Sequence, residues 1–249
     1  MANNPTALPC SSPISKVDNQ DVLEDIFENI KSRLHGPISR FIEKYFGSFQ
    51  YTHQGDVLEI QTPGGTSSQS AVPSVIPSPD DFQQWFSDYL QEEREGARGS
   101  WHVLPGTGAG EGTRLLLTLP TRVTSTPNGH TIWDHVQVVG QFYPYGPVSY
   151  KDGLVQLSRW ADKVFASQPL RLFLHGLYIR GSLIEYWIFD RSGLYCSEVL
   201  NIHKDFIRFL SIIPSYQLMT DQDHLHGYFA SRQGPSHLSV CDGITLSIS

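Results

Sequence analysis

Three runs of apolar, strand-forming residues constrain this chain most. They cover residues 136–142, 170–179 and 183–189, and the last two flank the turn Arg180-Gly181-Ser182. Valine, isoleucine and aromatic residues favour extended strands, and a glycine between two such runs marks a turn. The sequence therefore predicts a strand pair over 170–189 and a separate strand that reaches Gly140 and continues to Phe142.

Amphipathic helices are predicted before and between these strands. Apolar residues recur at helical spacing over residues 82–90, 153–167 and 204–213, and Pro214 is expected to end the last helix. Another strand is predicted over 114–119. This alternation of helices and strands is typical of an α/β or α+β sandwich.

The first 60 residues are predicted to form a disordered leader and a pair of helices. Residues 1–20 lack a periodic apolar pattern, whereas apolar side chains share one helical face from Asp21 to residue 34. Gly36 ends that helix, and Pro37 suits the first turn of a second one. We therefore expect an N-terminal helical hairpin over 21–60, which also makes a homodimer through these helices one option.

The rest of the chain divides into a linker, a core and a tail. Residues 61–79 contain four prolines and two glycines, which favours a linker or long loop, because such a stretch cannot bury enough apolar surface to offset its ordering entropy. We expect the main α/β core over 80–220. Residues 221–249 form a polar tail with no clear pattern.

Composition excludes several classes of protein. The net charge is −7 and no basic run occurs, so nucleic-acid binding is disfavoured, because it depends on clustered Lys and Arg. Cys10, Cys196 and Cys241 form no metal-binding or disulfide spacing, and no metal or other cofactor is expected. No signal peptide or membrane-spanning run is present, which predicts a cytoplasmic protein, with the nucleus as the alternative.

The stretch from Gln156 to Glu198, which contains FDRSG, resembles the N-terminal region of the fungal-type protein kinase family. The preceding WDHVQVVGQFYP strengthens the resemblance. It implies a fungal source and, for residues 80–220, a fold like that of PD-(D/E)XK nucleases. The family's kinase domain would begin after this region, so we expect this chain to hold none; His203-Lys204-Asp205 lacks the Asn that a kinase catalytic loop requires.

The charges of a nuclease site are missing from this resemblance. Such a site needs an acidic residue on one strand and an acid-x-Lys on the next, to hold a divalent metal and activate water. Leucine follows Arg114 where the first acid should stand, and Gln141 and Tyr143 occupy the other two positions. A neutral amide binds hard cations poorly, and tyrosine ionises only near pH 10. We therefore expect a degenerate nuclease-like fold without metal-dependent cleavage.

An uncharged, aromatic-lined cleft is expected where the metal would lie. Strand alternation places Gln141 beside Tyr143, and we predict these two as catalytic: tyrosine as a general acid, glutamine as an aid to carbonyl orientation. The residues predicted to bind the substrate are Tyr145, Tyr178, Arg180, Glu185, Trp187 and Arg114. The expected ligand is an apolar small molecule, and the reaction a metal-free isomerisation, cyclisation or elimination.

Each of these residues has a structural alternative. The tyrosines could be core residues, Gln141 could cap its strand, and Glu185 could be the cross-strand partner of Arg180. The alternative function is a catalytically inactive module that binds a protein, and residual nucleic-acid binding is the third. An apolar pocket behind Tyr143 would favour small-molecule binding. A filled cleft, with an exposed apolar face on the first helices, would favour protein binding.

Overall fold

A computed structural model describes residues 16–62, 64–65, 67–106, 112–119, 132–144 and 149–219. The predicted tail over 221–249, most of the predicted leader and Tyr145 lie outside these ranges. Residues 16–20, which were assigned to the leader, begin the first helix instead.

The described chain contains five α-helices and eleven strands. The helices are α1 (Lys16–Ser32), α2 (Phe41–Phe46), α3 (Phe82–Gln91), α4 (Tyr150–Ser167) and α5 (Phe206–Leu218). The first six strands are β1 (Leu34–His35), β2 (Gln50–Gln54), β3 (Val57–Gln61), β4 (Ser67–Ala71), β5 (Ser100–Leu104) and β6 (Thr113–Thr118). The others are β7 (Val136–Tyr143), β8 (Phe173–Arg180), β9 (Leu183–Asp190), β10 (Leu194–Cys196) and β11 (Leu200–Asn201).

Eight of the strands form one mixed sheet, in the order β1-β10-β9-β8-β7-β6-β5, with β11 also paired to β9. Neighbours β5, β6 and β7 are antiparallel, as are β8 and β9, whereas β7 and β8 are parallel and are joined by α4. Strands β2, β3 and β4 form a separate antiparallel sheet. The predicted α/β sandwich is confirmed, as are the strands over 136–142 and 183–189.

The large sheet is covered on both faces, and the strands alternate between the two layers. Val139 and Tyr143 of β7 pack with α1 and α4, whereas Val138 and Phe142 pack with α2, α3 and α5 on the opposite face. Because both faces are covered, β7 is buried along its whole length and β8 along nearly all of it, and most of their residues are apolar.

The two N-terminal helices do not form the predicted hairpin. Ile30 of α1 belongs to the layer beside α4, whereas Phe41 and Phe46 of α2 belong to the opposite layer. The connecting strand β1 pairs with β10, and the Ile38 N–H donates to the carbonyl of Cys196. The chain therefore passes around the sheet edge between the two helices, which the helical pattern of either segment could not indicate.

Residues 61–79 are not a linker throughout, because they include β4. This strand pairs with β3, and the Ser70 hydroxyl donates to Tyr89 Oη at 2.9 Å. Small buried serines let the strand pack closely against α3, and its pairing comes from backbone groups that composition does not reveal. Strand β5 was not predicted, because it lies in a stretch with six glycines between Gly96 and Gly112, a composition typical of a loop.

Pro214 lies inside α5 and does not end it. A proline has no N–H for the carbonyl four residues earlier, which here belongs to Leu210. The hydroxyl of Tyr89 approaches that carbonyl at 3.4 Å and replaces the missing donor. The tertiary contact therefore compensates for the lost helical hydrogen bond, and the helix continues to Leu218.

A buried arginine joins the start of β7 to the start of β8. Arg171 is fully buried, and its guanidinium donates to the carbonyls of Val136, Gln137 and Phe173 at 2.8–3.1 Å. It also donates to the side-chain oxygens of Gln137 and Gln168. Burial lowers the pKa of Arg171 to about 9, so the group is still a cation at neutral pH.

We expect Arg171→Ala to lower the free energy of unfolding by about 3 kcal/mol or more, because it leaves several buried carbonyls without a donor. Arg171→Lys should recover only part of this loss, since an ammonium cannot reproduce the planar fork. Chemical denaturation is the measurement, with Arg159→Ala as the exposed control, for which we expect a change within about 0.5 kcal/mol. Equal stability of the Arg171 and Arg159 variants would contradict this role.

His175 makes the fold acid-sensitive. Its ring is buried among Phe46, Phe173 and Tyr216, and burial, assisted by Arg171, lowers its pKa to about 3. Below pH 6.5 the unfolded chain takes up a proton that the folded protein does not, so stability is complete above pH 6.5 and falls towards pH 3.

We therefore expect His175→Gln to remove a loss of about 2 kcal/mol between pH 6.5 and pH 5. Denaturant titrations of the wild type and variant across this range would measure it, with His53→Gln, at an exposed position of β2, as the control. A pH profile unchanged in His175→Gln would show that other groups cause the acid sensitivity.

Candidate functional site

The sheet brings most of the predicted site residues together on the α4 face. Gln141, Tyr178 and Glu185 lie in register on three neighbouring strands, and Tyr143 is in register with Arg180. The rings of Tyr143 and Tyr178 meet edge-to-face, with centroids 6.2 Å apart. The cross-strand partner of Glu185 is therefore Tyr178, whereas Arg180 pairs with Leu183.

This end of the sheet is filled by side chains. Gln141 is 2% exposed, Tyr178 is 1% exposed and Trp187 is fully buried. Helix α4 covers them, and the Tyr178 hydroxyl donates to the backbone carbonyl of Tyr150 at 3.3 Å. Gly153 allows this close approach, because a Cβ at that position would overlap the same hydroxyl.

Trp160 of α4 contacts Gln141 and Arg114, which lie at or beside the positions where the resemblance implies nuclease charges. Its indole N–H donates to Gln141 Oε1 at 3.1 Å, and the Arg114 guanidinium lies 3.6 Å from its ring. Trp133 stacks on the same indole at 5.6 Å. Arg114 and Gln141 are also cross-strand neighbours. The hydrogen bond from Trp160 occupies the amide oxygen that was predicted to orient a substrate. Trp160 was not among the predicted site residues, because its position on a helix does not indicate which strand residues it contacts.

Burial shifts the pKa values of several ionisable groups here towards the neutral form. Burial raises the pKa of Tyr150 and of Tyr178 above that of free tyrosine, and burial also raises the pKa of Glu185, which Arg180 partly opposes. Burial, aided by Glu185, raises the pKa of the Cys196 thiol to about 11. A tyrosine with a raised pKa is a weaker acid, so this arrangement favours hydrogen bonding and packing over proton transfer.

A separate cleft of about 580 Å³ opens on the same face of the sheet, between α1 and the second half of α4. We call it the α1–α4 cleft. Its apolar lining, contributed by both helices and by β9 and β10, includes Ile30, Val155, Phe165, Phe189 and Leu194. The cleft was not predicted, because it depends on the packing of α1 against α4.

Charged and polar side chains surround this apolar lining. The acidic residues are Asp25, Asp162 and Asp190, and the basic residues are Arg33, Arg159 and Arg191. Asn29 and Ser158 add neutral polar groups from the two helices. The Ser158 hydroxyl is buried and has no hydrogen-bond partner within the described part of the chain.

The FDRSG segment builds one wall of the cleft. Asp190 Oδ1 accepts hydrogen bonds from the Ser192 N–H, the Ser192 hydroxyl and the Gly193 N–H at 2.6–2.8 Å, which closes the turn between β9 and β10. Arg33 then donates to the Arg191 carbonyl at 2.9 Å and so attaches the end of α1 to this turn. The aspartate, serine and glycine of FDRSG are therefore explained by the turn that they form, to which the end of α1 is attached.

Comparison with known proteins places this site in a family context. Residues 115–226 match the model of the fungal protein kinase family. The expected resemblance is confirmed for this segment, which is less than half of the chain. No curated protein and no solved structure matches. The segment matched to the fungal protein kinase family includes α4, β9 and β10, whereas Arg114 and the α1 wall of the cleft precede it.

Among the described residues, no group of three or more histidine, cysteine, aspartate or glutamate side chains is arranged to hold a metal ion. No described helix is both long and apolar enough to cross a membrane.

We expect Gly153→Ala to lower the free energy of unfolding by about 1–3 kcal/mol, because its methyl group would displace Tyr178. In a helix free of this contact, the same change would stabilise the protein by about 1 kcal/mol, so the sign of the effect is informative. Thermal unfolding is the measurement, and Tyr178→Phe combined with Gly153→Ala should recover part of the loss. A higher melting temperature for Gly153→Ala alone would mean that α4 does not lie this close to Tyr178.

Proposed function

We propose that this chain binds a small organic molecule in the α1–α4 cleft and does not act through Gln141 and Tyr143. The observation that carries the proposal is the cleft itself, which combines a volume of about 580 Å³ with an apolar lining and a few polar groups. Sites for small organic ligands are usually concave, largely apolar and between about 300 and 1,000 Å³ in volume.

The packing at the other end of α4 supports this location. Gln141 and Tyr178 are buried beneath the helix, and the Gln141 amide oxygen already accepts a hydrogen bond from Trp160. The raised pKa values of Tyr150 and Tyr178 make these hydroxyls poor acids at neutral pH. We therefore propose binding rather than isomerisation or cyclisation, within a degenerate nuclease-like sandwich whose former metal cleft now stabilises the fold.

A protein-binding module is the second candidate, and one surface favours it. Leu170 is 88% exposed and Leu172 is 55% exposed in the connection between α4 and β8. Exposed leucines close together are a common feature of protein interfaces. The filled end of the sheet also agrees with this candidate. The apolar side chains that the structure describes in α1, however, are half-buried or buried in the layer beside α4 and form no open face: Leu23, Ile26, Phe27 and Ile30.

Two tryptophan substitutions on α1 test the proposed function. Asn29→Trp places a large side chain in the cleft from an exposed position, whereas Glu28→Trp places the same side chain on the outer surface of α1. The measurement is the melting temperature with a panel of apolar and aromatic metabolites, because a ligand of the folded state stabilises it in proportion to occupancy. We expect shifts in the wild type and in Glu28→Trp that are lost in Asn29→Trp.

Two outcomes would overturn the proposal. Shifts that persist in Asn29→Trp but disappear in Tyr143→Phe or Gln141→Ala would return the ligand site to the end of β7. If no metabolite of the panel shifted the melting temperature, and the chain bound a protein partner in a way that Leu170→Ser abolished, the second candidate would be favoured.

A further inference from the structure

We infer that the ligand of the α1–α4 cleft is an apolar molecule with a protonated amine, held between Ser158 and Asp162. This inference rests on the proposed function and adds the chemical class of the ligand. Four features carry it: a buried hydroxyl, a neighbouring carboxylate, the use of two arginines elsewhere and the apolar lining.

The first feature is the hydroxyl of Ser158. This residue is 8% exposed and lines the cleft, yet its oxygen has no hydrogen-bond partner among the described residues. A serine inside a helix commonly bonds to the carbonyl one turn earlier, and a buried polar group without a partner destabilises the fold. A polar group of the ligand would satisfy it.

The second feature is the position of Asp162, one helical turn after Ser158. Residues four apart lie on the same side of a helix, so one ligand group can contact both. Asp162 has no ion pair among the described residues, and partial burial raises its pKa, which Arg33 only partly opposes. A cation at this carboxylate would compensate for its lost solvation.

The third feature is that two of the three arginines already have partners. Arg33 donates to the carbonyls of Arg191 and Ser192, and Arg191 donates to the carbonyl of Pro169 at 2.6 Å. Asp190 is likewise committed to its turn. Asp25, Arg159 and Asp162 then remain without a hydrogen bond or ion pair among the described residues. Asp162 is the one that shares a side of the helix with Ser158, so it is the charged group left to bind the ligand there.

The fourth feature is the lining next to this pair. Val155 and Phe165 flank Ser158 and Asp162 on α4, and Ile30 faces them from α1. Burial of an aromatic or aliphatic body against these side chains provides the main driving force for binding. The amine then determines the orientation and the specificity.

Three probes with the same indole skeleton test the inference: tryptamine, the neutral alcohol tryptophol and the anion indole-3-acetate. Isothermal titration calorimetry on the whole chain would give their affinities. We expect tryptamine to bind at least about tenfold more tightly than tryptophol, because a charge-assisted hydrogen bond is stronger than a neutral one, and indole-3-acetate to bind most weakly.

Variants assign the effect to the two residues. Asp162→Asn should reduce tryptamine to the affinity of tryptophol, and Ser158→Ala should weaken both of these probes several-fold. Glu28→Gln removes an acidic charge from the outer face of α1, where Glu28 pairs with Lys31, and should leave all three affinities unchanged. A loss in Glu28→Gln equal to that in Asp162→Asn would indicate a general charge effect and overturn the inference.

The remaining outcomes separate this inference from the proposed function. If tryptamine and tryptophol bound equally well, and Asn29→Trp abolished both, the cleft would remain a ligand site but the inference that its ligand carries an amine would be overturned. Tightest binding of indole-3-acetate would also overturn it and point to Arg159. Binding of tryptamine that persists in Asn29→Trp would overturn both proposals.

Discussion

The buried guanidinium of Arg171 holds together the part of the fold on which the rest depends. It connects the carbonyls of Val136 and Gln137, at the start of β7, to that of Phe173, at the start of β8. It also bonds to Gln168, the residue that caps α4. These are the two parallel strands and the helix between them, so a single side chain fixes the crossover of the sheet.

The position of α4 then determines what each end of the sheet can do. Its first turns lie against Tyr178, where Gly153 allows near contact, and Trp160 reaches the Gln141 amide. On its other side, α4 packs against α1, where the Glu24–Lys151 ion pair joins the middle of α1 to the first turn of α4 and the cleft opens beyond. One helix therefore fills the end of the sheet around Gln141 and also forms a wall of the α1–α4 cleft.

The sequence predicted what depends on local pattern. Strands β7 and β9 follow from their apolar runs, and α4 follows from its helical periodicity, although the Ser149 cap starts it at Tyr150, before the predicted start at Gly153. The predictions that failed depend on long-range contacts. Tyr89 allows α5 to continue through Pro214, and pairing with β3 creates β4 from a serine-rich stretch that was predicted to be a linker. No local signal reports either contact.

In the candidate site, too, the sequence predicted the local pattern and missed the long-range contacts. Alternation along β7 correctly placed Gln141 and Tyr143 on one face, and the strand register, which the sequence did not give, brings Tyr178 and Glu185 beside Gln141. The same argument could not show that this face is covered, because alternation along a strand does not report which face the following helix packs on or where Trp160 lies. The roles predicted for these residues in binding and catalysis stay predictions.

Hydrogen–deuterium exchange with and without the metabolite that raises the melting temperature most is the measurement that tests the central claim. A ligand in the α1–α4 cleft should slow amide exchange in residues 24–33 and 155–165, since both helices would be held in contact with it. Exchange at 140–144 and 176–185 should not change. The account would be contradicted if the ligand slowed exchange in these strand ends and in the first turn of α4 but left the exchange rate of α1 unchanged.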